Sequence, residues 1–345
     1  DITLWGSSVR CIAAENTCVS GASYGIVLQT VNGAAQAAVG NVIRDNVIED
    51  AKNYAILVYN INSREHRIDD TKVTGNICRR IYGHYRNPAT GKQDFGAGIY
   101  ILQAEGTEVS GNTVISSCLE TVGSTLTPAG IAINATSRAL VDNNQVSGSA
   151  WYGIYVVDTL QLGRGKFAGS TKFSPEGQVV VSNNRIDACR LHGIYIRDKH
   201  NVNCRANTIT AVQGKNQSGI AVERTRDTYP TLINLQINEN SVERSAGYGV
   251  SIAGTLAAIV SGNQIKHTSV SAMVVAGARS QVSGNVIADC GERGIDLRAE
   301  GSESTLDRNS VEGCKVGILA EHRANWTTNT LQRNQRNVSG KMAPP

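Results

Sequence analysis

Seven residues in the middle of the chain are of types that break bonds in a bound ligand: Tyr155, Asp158, His192, Tyr195, Arg197, Asp198 and Glu223. Two chemistries fit them. β-Elimination takes the proton beside a carboxylate and needs a base together with a cation that neutralises that carboxylate. Tyr155, Tyr195 or His192 would be the base, Arg197 the neutraliser, and Lys199 or Lys92 an assistant. Hydrolysis of a glycosidic bond needs two carboxyl groups across it. Asp158 and Asp198 would supply them, with Glu223 a coil further on. A third reading keeps these side chains for binding alone.

The elements that position these residues are given by a repeat. Twelve asparagines precede short apolar-alternating stretches: Asn16, Asn46, Asn76, Asn112, Asn144, Asn184, Asn207, Asn240, Asn263, Asn285, Asn309 and Asn329. Three residues before each, and two after, the side chain is apolar in every repeat. Nine residues after most of them comes Gly-Ile-x-Ile or a close variant, as at Gly25, Gly153, Gly193, Gly249 and Gly294. Period-two alternation in such short stretches means strands with one face in and one out. Stacking coil on coil gives each strand parallel neighbours and a continuous core. The expected fold is therefore all-β, a single-stranded right-handed parallel β-helix of about 12 coils with an asparagine ladder. It spans residues 1–333, and residues 334–345 read as a tail. The glycine is expected where the chain turns tightly and a side chain would clash.

Insertions in a solenoid collect on one face. Here they flank the Gly-Ile-x-Ile strand at residues 60–70, 83–95, 119–128, 159–176 and 224–231, and the coils from Asn240 onward are almost bare. The outward face of these strands would be the floor of a groove. It presents Tyr100, Tyr155 and Tyr195 two residues after the glycine, and Asn134, Arg197 and Glu223 four after it. His84, Arg86, Lys92, Lys199 and Arg224 join Tyr100 and Asn134 as binding residues. Exposed aromatic faces and mixed charge suit a chain-like sugar, with rings stacked on tyrosine and hydroxyls bonded by polar groups.

Composition narrows the class further. Thirty-five glycines, six prolines and 5% aromatics suit short strands and tight turns. No run of about 18 apolar residues spans a membrane. Basic residues are scattered rather than striped, which argues against nucleic acid. The net charge of +4 is mildly favourable to an acidic polysaccharide. No amphipathic cap precedes Val9, so residues ahead of Asp1 or a partner are expected to cover that end. Cys18, Cys78 and Cys204 fall in an inward column, and Cys189, Cys290 and Cys314 share another, where cysteine fills the core as a small hydrophobe. No Cys/His spacing suggests zinc.

The asparagine ladder, the Gly-Ile-x-Ile strands and the loops beside them resemble the pectate-lyase-type superfamily of right-handed parallel β-helices, over nearly the whole chain. That superfamily holds polysaccharide lyases, uronan epimerases, glycoside hydrolases and phage tailspikes. The resemblance implies a polysaccharide bound along the groove, a secreted, periplasmic or virion-surface protein, and a monomer or homotrimer. Cleavage of a bacterial or plant polysaccharide by elimination on a uronate chain is the leading expectation, ahead of hydrolysis and of binding alone. The Asp-Pro-His-Asp run of alginate epimerases is absent. No cofactor is expected; calcium fits the superfamily, but no tight aspartate cluster offers it a site.

Overall fold

The computed structural model describes residues 2–19, 23–30, 37–60, 68–86, 93–119, 128–134, 136–158, 177–225, 231–298 and 303–342. The chain divides into two compact units, residues 1–180 and 181–345. Each is a right-handed parallel β-helix, together about twelve coils. In the first unit, Tyr24–Gln29, Tyr54–Tyr59, Ala97–Leu102, Ala129–Asn134 and Tyr152–Val157 stack parallel and in register. In the second, Ile194–Arg197, Ser218–Glu223, Tyr248–Leu256, Met273–Ala278 and Arg293–Leu297 do the same. Two further strand stacks in each unit complete the coils. Inward Ile and Val side chains such as Ile99, Ile131 and Ile154, or Ile194, Ile220 and Val250, form the core of their unit.

The ladder exists as stacked amides. Asn46 Nδ2 donates to Asn76 Oδ1 at 2.9 Å and to the Ala13 carbonyl at 2.9 Å, while Asn46 Oδ1 accepts from Asn16. The same pattern joins Asn184, Asn207, Asn240, Asn263, Asn285, Asn309 and Asn329 in the second unit. The residue before each ladder asparagine takes the left-handed conformation. Glycine fills it at Gly75, Gly111, Gly262 and Gly284, whereas Ala206 adopts φ 53°. An alanine there is strained by roughly 1–2 kcal/mol, partly offset by its stiffer unfolded chain. Ala206→Gly is therefore expected to raise stability by about 0.5–1 kcal/mol, read as a shifted urea midpoint at unchanged slope.

The Gly-Ile-x-Ile glycine has another reason than the tight turn expected. Gly193, Gly219 and Gly249 are absent from the left-handed residues. A Cβ on Gly219 would lie 2.3 Å from Val242 Cγ1 and 2.8 Å from the Gly249 carbonyl oxygen. Glycine is needed there because an inward valine or isoleucine and the next coil's backbone fill the space.

Two expectations are corrected. Cys290 and Cys314 are joined by a disulfide, because stacking sets their Cα atoms 4.9 Å apart, within bridging range. Residues 336–342, read as part of a tail, form the strand Arg336–Met342, which pairs with Val316–Thr327 through Val316↔Arg336 and Ile318↔Val338. Val338, part-buried, pairs in register with the buried Ile318 although no glycine announces the strand. Among the described residues no helix is long and apolar enough to cross a membrane.

Candidate functional site

In the first unit the outward tyrosines pack on one another. Tyr24 and Tyr54 stack with centroids 5.9 Å apart, Tyr54 and Tyr100 at 5.4 Å, and Tyr152 and Tyr155 at 5.4 Å. For Tyr24, Tyr54 and Tyr100, on successive coils, spacing near 4.8 Å makes stacking a natural outcome, whereas Tyr152 and Tyr155 belong to one strand. Ring faces that were expected to meet sugar are thus engaged by other rings, and Tyr155 is 4% exposed. Asn134, on the strand next to that of Tyr100, donates from Nδ2 to Tyr100 Oη at 2.9 Å. Burial pushes the Tyr100 phenol up to about 12, with the Asn134 bond acting against it, so it stays protonated. Asp158 follows the strand Tyr152–Val157 and is buried.

The wall segment expected at residues 83–95 contains a hairpin, with His84–Arg86 antiparallel to Gln93–Phe95. Lys92 and the side chains of His84 and Arg86 lie outside the described residues, as does most of the other expected wall loops.

The second unit brings five of the candidates together. Tyr195 donates its phenol hydrogen to Glu223 Oε2. Arg197 is the register partner of Glu223, and Tyr195 that of Ala221. Arg197 also reaches Asp198, with Nε 3.6 Å from Oδ2, and Thr225 Oγ1 at 3.4 Å. Asp198 has φ 52° and is 1% exposed. Its Oδ1 accepts the Thr225 N–H at 2.9 Å and its Oδ2 the Thr225 hydroxyl at 2.6 Å. Asp198 therefore fixes the turn that carries Thr225 and steers Arg197. Lys199 is buried, and the Arg224 stem packs against Gly254. Glu223 is exposed.

His192 packs its ring on Tyr195, centroids 4.9 Å apart. Its Nδ1 accepts the Ser218 N–H at 2.9 Å, which places the proton of the neutral ring on Nε2. Burial holds the imidazole down to about 4. At neutral pH the ring is a donor through Nε2, with no lone pair left to act as a base. The unfolded chain takes up this proton near 6.5 and the folded one only near 4. The contribution of His192 to stability is thus complete above about pH 6.5 and falls away between 6.5 and 4, by at most about 3–4 kcal/mol. Urea unfolding at pH 7 and 5 is expected to show a larger loss in the parent than in His192→Asn, whose amide also accepts from Ser218 but does not titrate.

The phenol that donates to Glu223 is likewise no base. Its proton is committed to the bond with that carboxylate, which makes it a donor there. Sequence reasoning set Tyr195, His192, Arg197 and Glu223 on one floor. It missed Thr225, which holds Asp198 and Arg197, and Ser218, which sets the histidine tautomer. Both act through the register of neighbouring coils, which no local motif reports. Among the described residues, no three His, Cys, Asp or Glu side chains gather as a metal site.

Comparison with known proteins fits this architecture. The sequence profile of the family described as right handed beta helix region matches residues 2–265 and 173–336. No curated protein matches the chain in sequence. Among solved structures, the catalytic unit of the thermostable GH87 α-1,3-glucanase from Streptomyces thermodiastaticus strain HF3-3 is similar at a TM-score of 0.55 and 13% identity. The match covers 98% of this chain and 63% of that one, so this chain spans less than two thirds of the glucanase unit. DFA-IIIase from Arthrobacter chlorophenolicus A6, in complex with GF2, is similar at a TM-score of 0.50 and 13% identity, over 90% of this chain and 78% of that one. At such identities the likeness is one of fold.

Proposed function

The chain belongs to the right handed beta helix region family, and from that premise we propose that it is a carbohydrate-active enzyme that hydrolyses a polysaccharide at Glu223. The observation that carries this reading is the Tyr195 hydroxyl donating to Glu223, an exposed carboxylate on the outward strand face with Arg197 beside it. A carboxylate oriented by a fixed donor is equipped to move a proton or to attack an anomeric carbon. Asp198 on the neighbouring coil is buried with both oxygens bonded to Thr225, so its part is to position Arg197 beside Glu223. Tyr195 and His192 act as donors that orient Glu223 and ligand hydroxyls. Two similar folds, a glucanase catalytic unit and DFA-IIIase, support a glycan as the ligand.

Arg197 favours a second reading. A cation next to Glu223 is what elimination on a uronate requires, with Glu223 rather than Tyr195 or His192 as the base. Product analysis on a panel of neutral and acidic polysaccharides separates the two. Hydrolysis releases reducing ends without new ultraviolet absorbance. Reducing ends accompanied by the absorbance of an unsaturated uronate would replace hydrolysis with elimination. No new ends on any member would overturn the enzymatic reading for the panel tested.

A further inference from the structure

The outward column that carries Arg197 and Glu223 continues along the second unit. Val222 pairs with Ile252, so Glu223 falls level with Ala253; Ala253 pairs with Ala276; Val275 pairs with Leu297, so Arg298 falls level with Ala276. At about 4.8 Å per coil, Arg298 stands three coils or roughly 14 Å from Glu223. Only the methyl groups of Ala253 and Ala276 lie between them in this column, on coils without long insertions.

Arg298 is held rigidly. Its Nε and Nη2 donate to Asp296 Oδ2 at 2.8 and 2.6 Å, and Arg293 Nη1 donates to the same oxygen at 2.7 Å. The carboxylate is fully buried, while the Arg293 and Arg298 side chains are 33% and 41% exposed. Tyr248 and Glu321 are near enough to act on Arg298 electrostatically.

The fold does not require this arrangement. Asp296 shares its column with Val274 and Leu319 on the coils either side, so the stack accepts an apolar side chain there. Burying a carboxylate in such a place is unfavourable unless cations compensate it, and such pairs stabilise less than apolar packing would. Two oxygens also stand buried without a hydrogen bond: Asp296 Oδ1, and Ser271 Oγ on the preceding coil. Two guanidinium groups turn one side to the buried carboxylate and leave their outer N–H groups at the surface, with Glu321, level with Arg298 on the next coil, offsetting part of their charge. Held this way, they lose little freedom on meeting an oxyanion.

We propose that Arg293 and Arg298, fixed by Asp296, form an anion subsite for an acidic polysaccharide that lies along the strand stack from Glu223, binding its carboxylate or sulfate groups. The direction of the chain rests on the reading of Glu223 as the cleavage point; the anion site itself requires no catalysis.

Calorimetric titration of the full chain carrying Glu223→Gln tests it, with three probes of equal length: a uronate oligosaccharide, a sulfated oligosaccharide and a neutral one. At least one acidic probe is expected to bind, and Arg298→Gln to weaken it about tenfold or more without changing the neutral probe. Which acidic probe responds identifies the group. Arg293→Gln provides the same reading should Arg298→Gln fail to fold. The proposal is overturned if neither acidic probe binds, if both arginine variants keep the parent affinity, or if neutral and acidic probes weaken alike. Cleavage of a short neutral substrate by Arg298→Gln in an otherwise parental chain separates the two readings. Parental turnover there leaves Glu223 supported whatever the titration shows.

Discussion

Glu223→Gln is expected to lower kcat by about 10²–10⁴-fold, the range for loss of a positioned proton-transfer group, with KM changed little. The amide keeps the shape and can still meet the Tyr195 hydroxyl, so the backbone pairing of Ser218–Glu223 with Tyr248–Leu256 is undisturbed. Tyr195→Phe removes one donor to a carboxylate, a bond of roughly 1.5–3 kcal/mol, and is expected to cost about 10–150-fold in kcat/KM. His192→Asn should cost less, since its part is to orient. Steady-state kinetics on the polymer identified by product analysis, with circular dichroism to establish folding, checks all three. A Glu223→Gln enzyme within a few-fold of the parent would remove Glu223 from the chemistry.

Loss of one ladder amide carries the largest expected effect on stability. Asn263 Oδ1 accepts from the N–H and the Nδ2 of Asn240, both at 3.0 Å. Its Nδ2 donates to Asn285 Oδ1 at 2.9 Å and to the Ile237 carbonyl at 2.8 Å. Asn263→Ala takes a partner from buried groups on two coils, Asn240 and Ile237 on one and Asn285 on the next, and strips the Asn240 N–H of its acceptor. At about 1–3 kcal/mol for each stranded group, moderated by relaxation, the loss should be about 3–5 kcal/mol. Asn16 stands at the start of its ladder and is only part-buried, so Asn16→Ala should cost about 1 kcal/mol. Urea unfolding of both variants checks the contrast; equal losses would show that the ladder amides do not act as a stack.

What the sequence made legible follows from the same physics. Each ladder asparagine makes several bonds at once, so its position tolerates little else, and the column survives as a visible repeat. The apolar columns are legible because inward side chains such as Val242 and Ile265 have only each other to touch. The floor columns were legible as directions, since strand alternation fixes which way Tyr195 and Glu223 point. What those side chains then do was not, because the partners come from the next coil at variable separation. Tyr195 reaches Glu223 across 28 residues and His192 meets Ser218 across 26. The stacking of Tyr100 on Tyr54 escaped notice for a related reason. The two belong to different columns, Tyr100 two residues after Gly98 and Tyr54 just before Ala55, which stands in the glycine's place, and only the ring positions bring them together. The pairing of Cys290 with Cys314 needed the 4.9 Å Cα separation, which a shared column implies only once the coils are stacked.

The crystal structure of Glu223→Gln bound to an oligosaccharide of the polymer the enzyme cleaves tests the central claim most directly. The expected result is a sugar chain over the outward strand face of the second unit, its glycosidic oxygen or anomeric carbon within about 3–3.5 Å of the residue 223 amide. A chain bound on another face, or one crossing the strand stack with no linkage near residue 223, would contradict it.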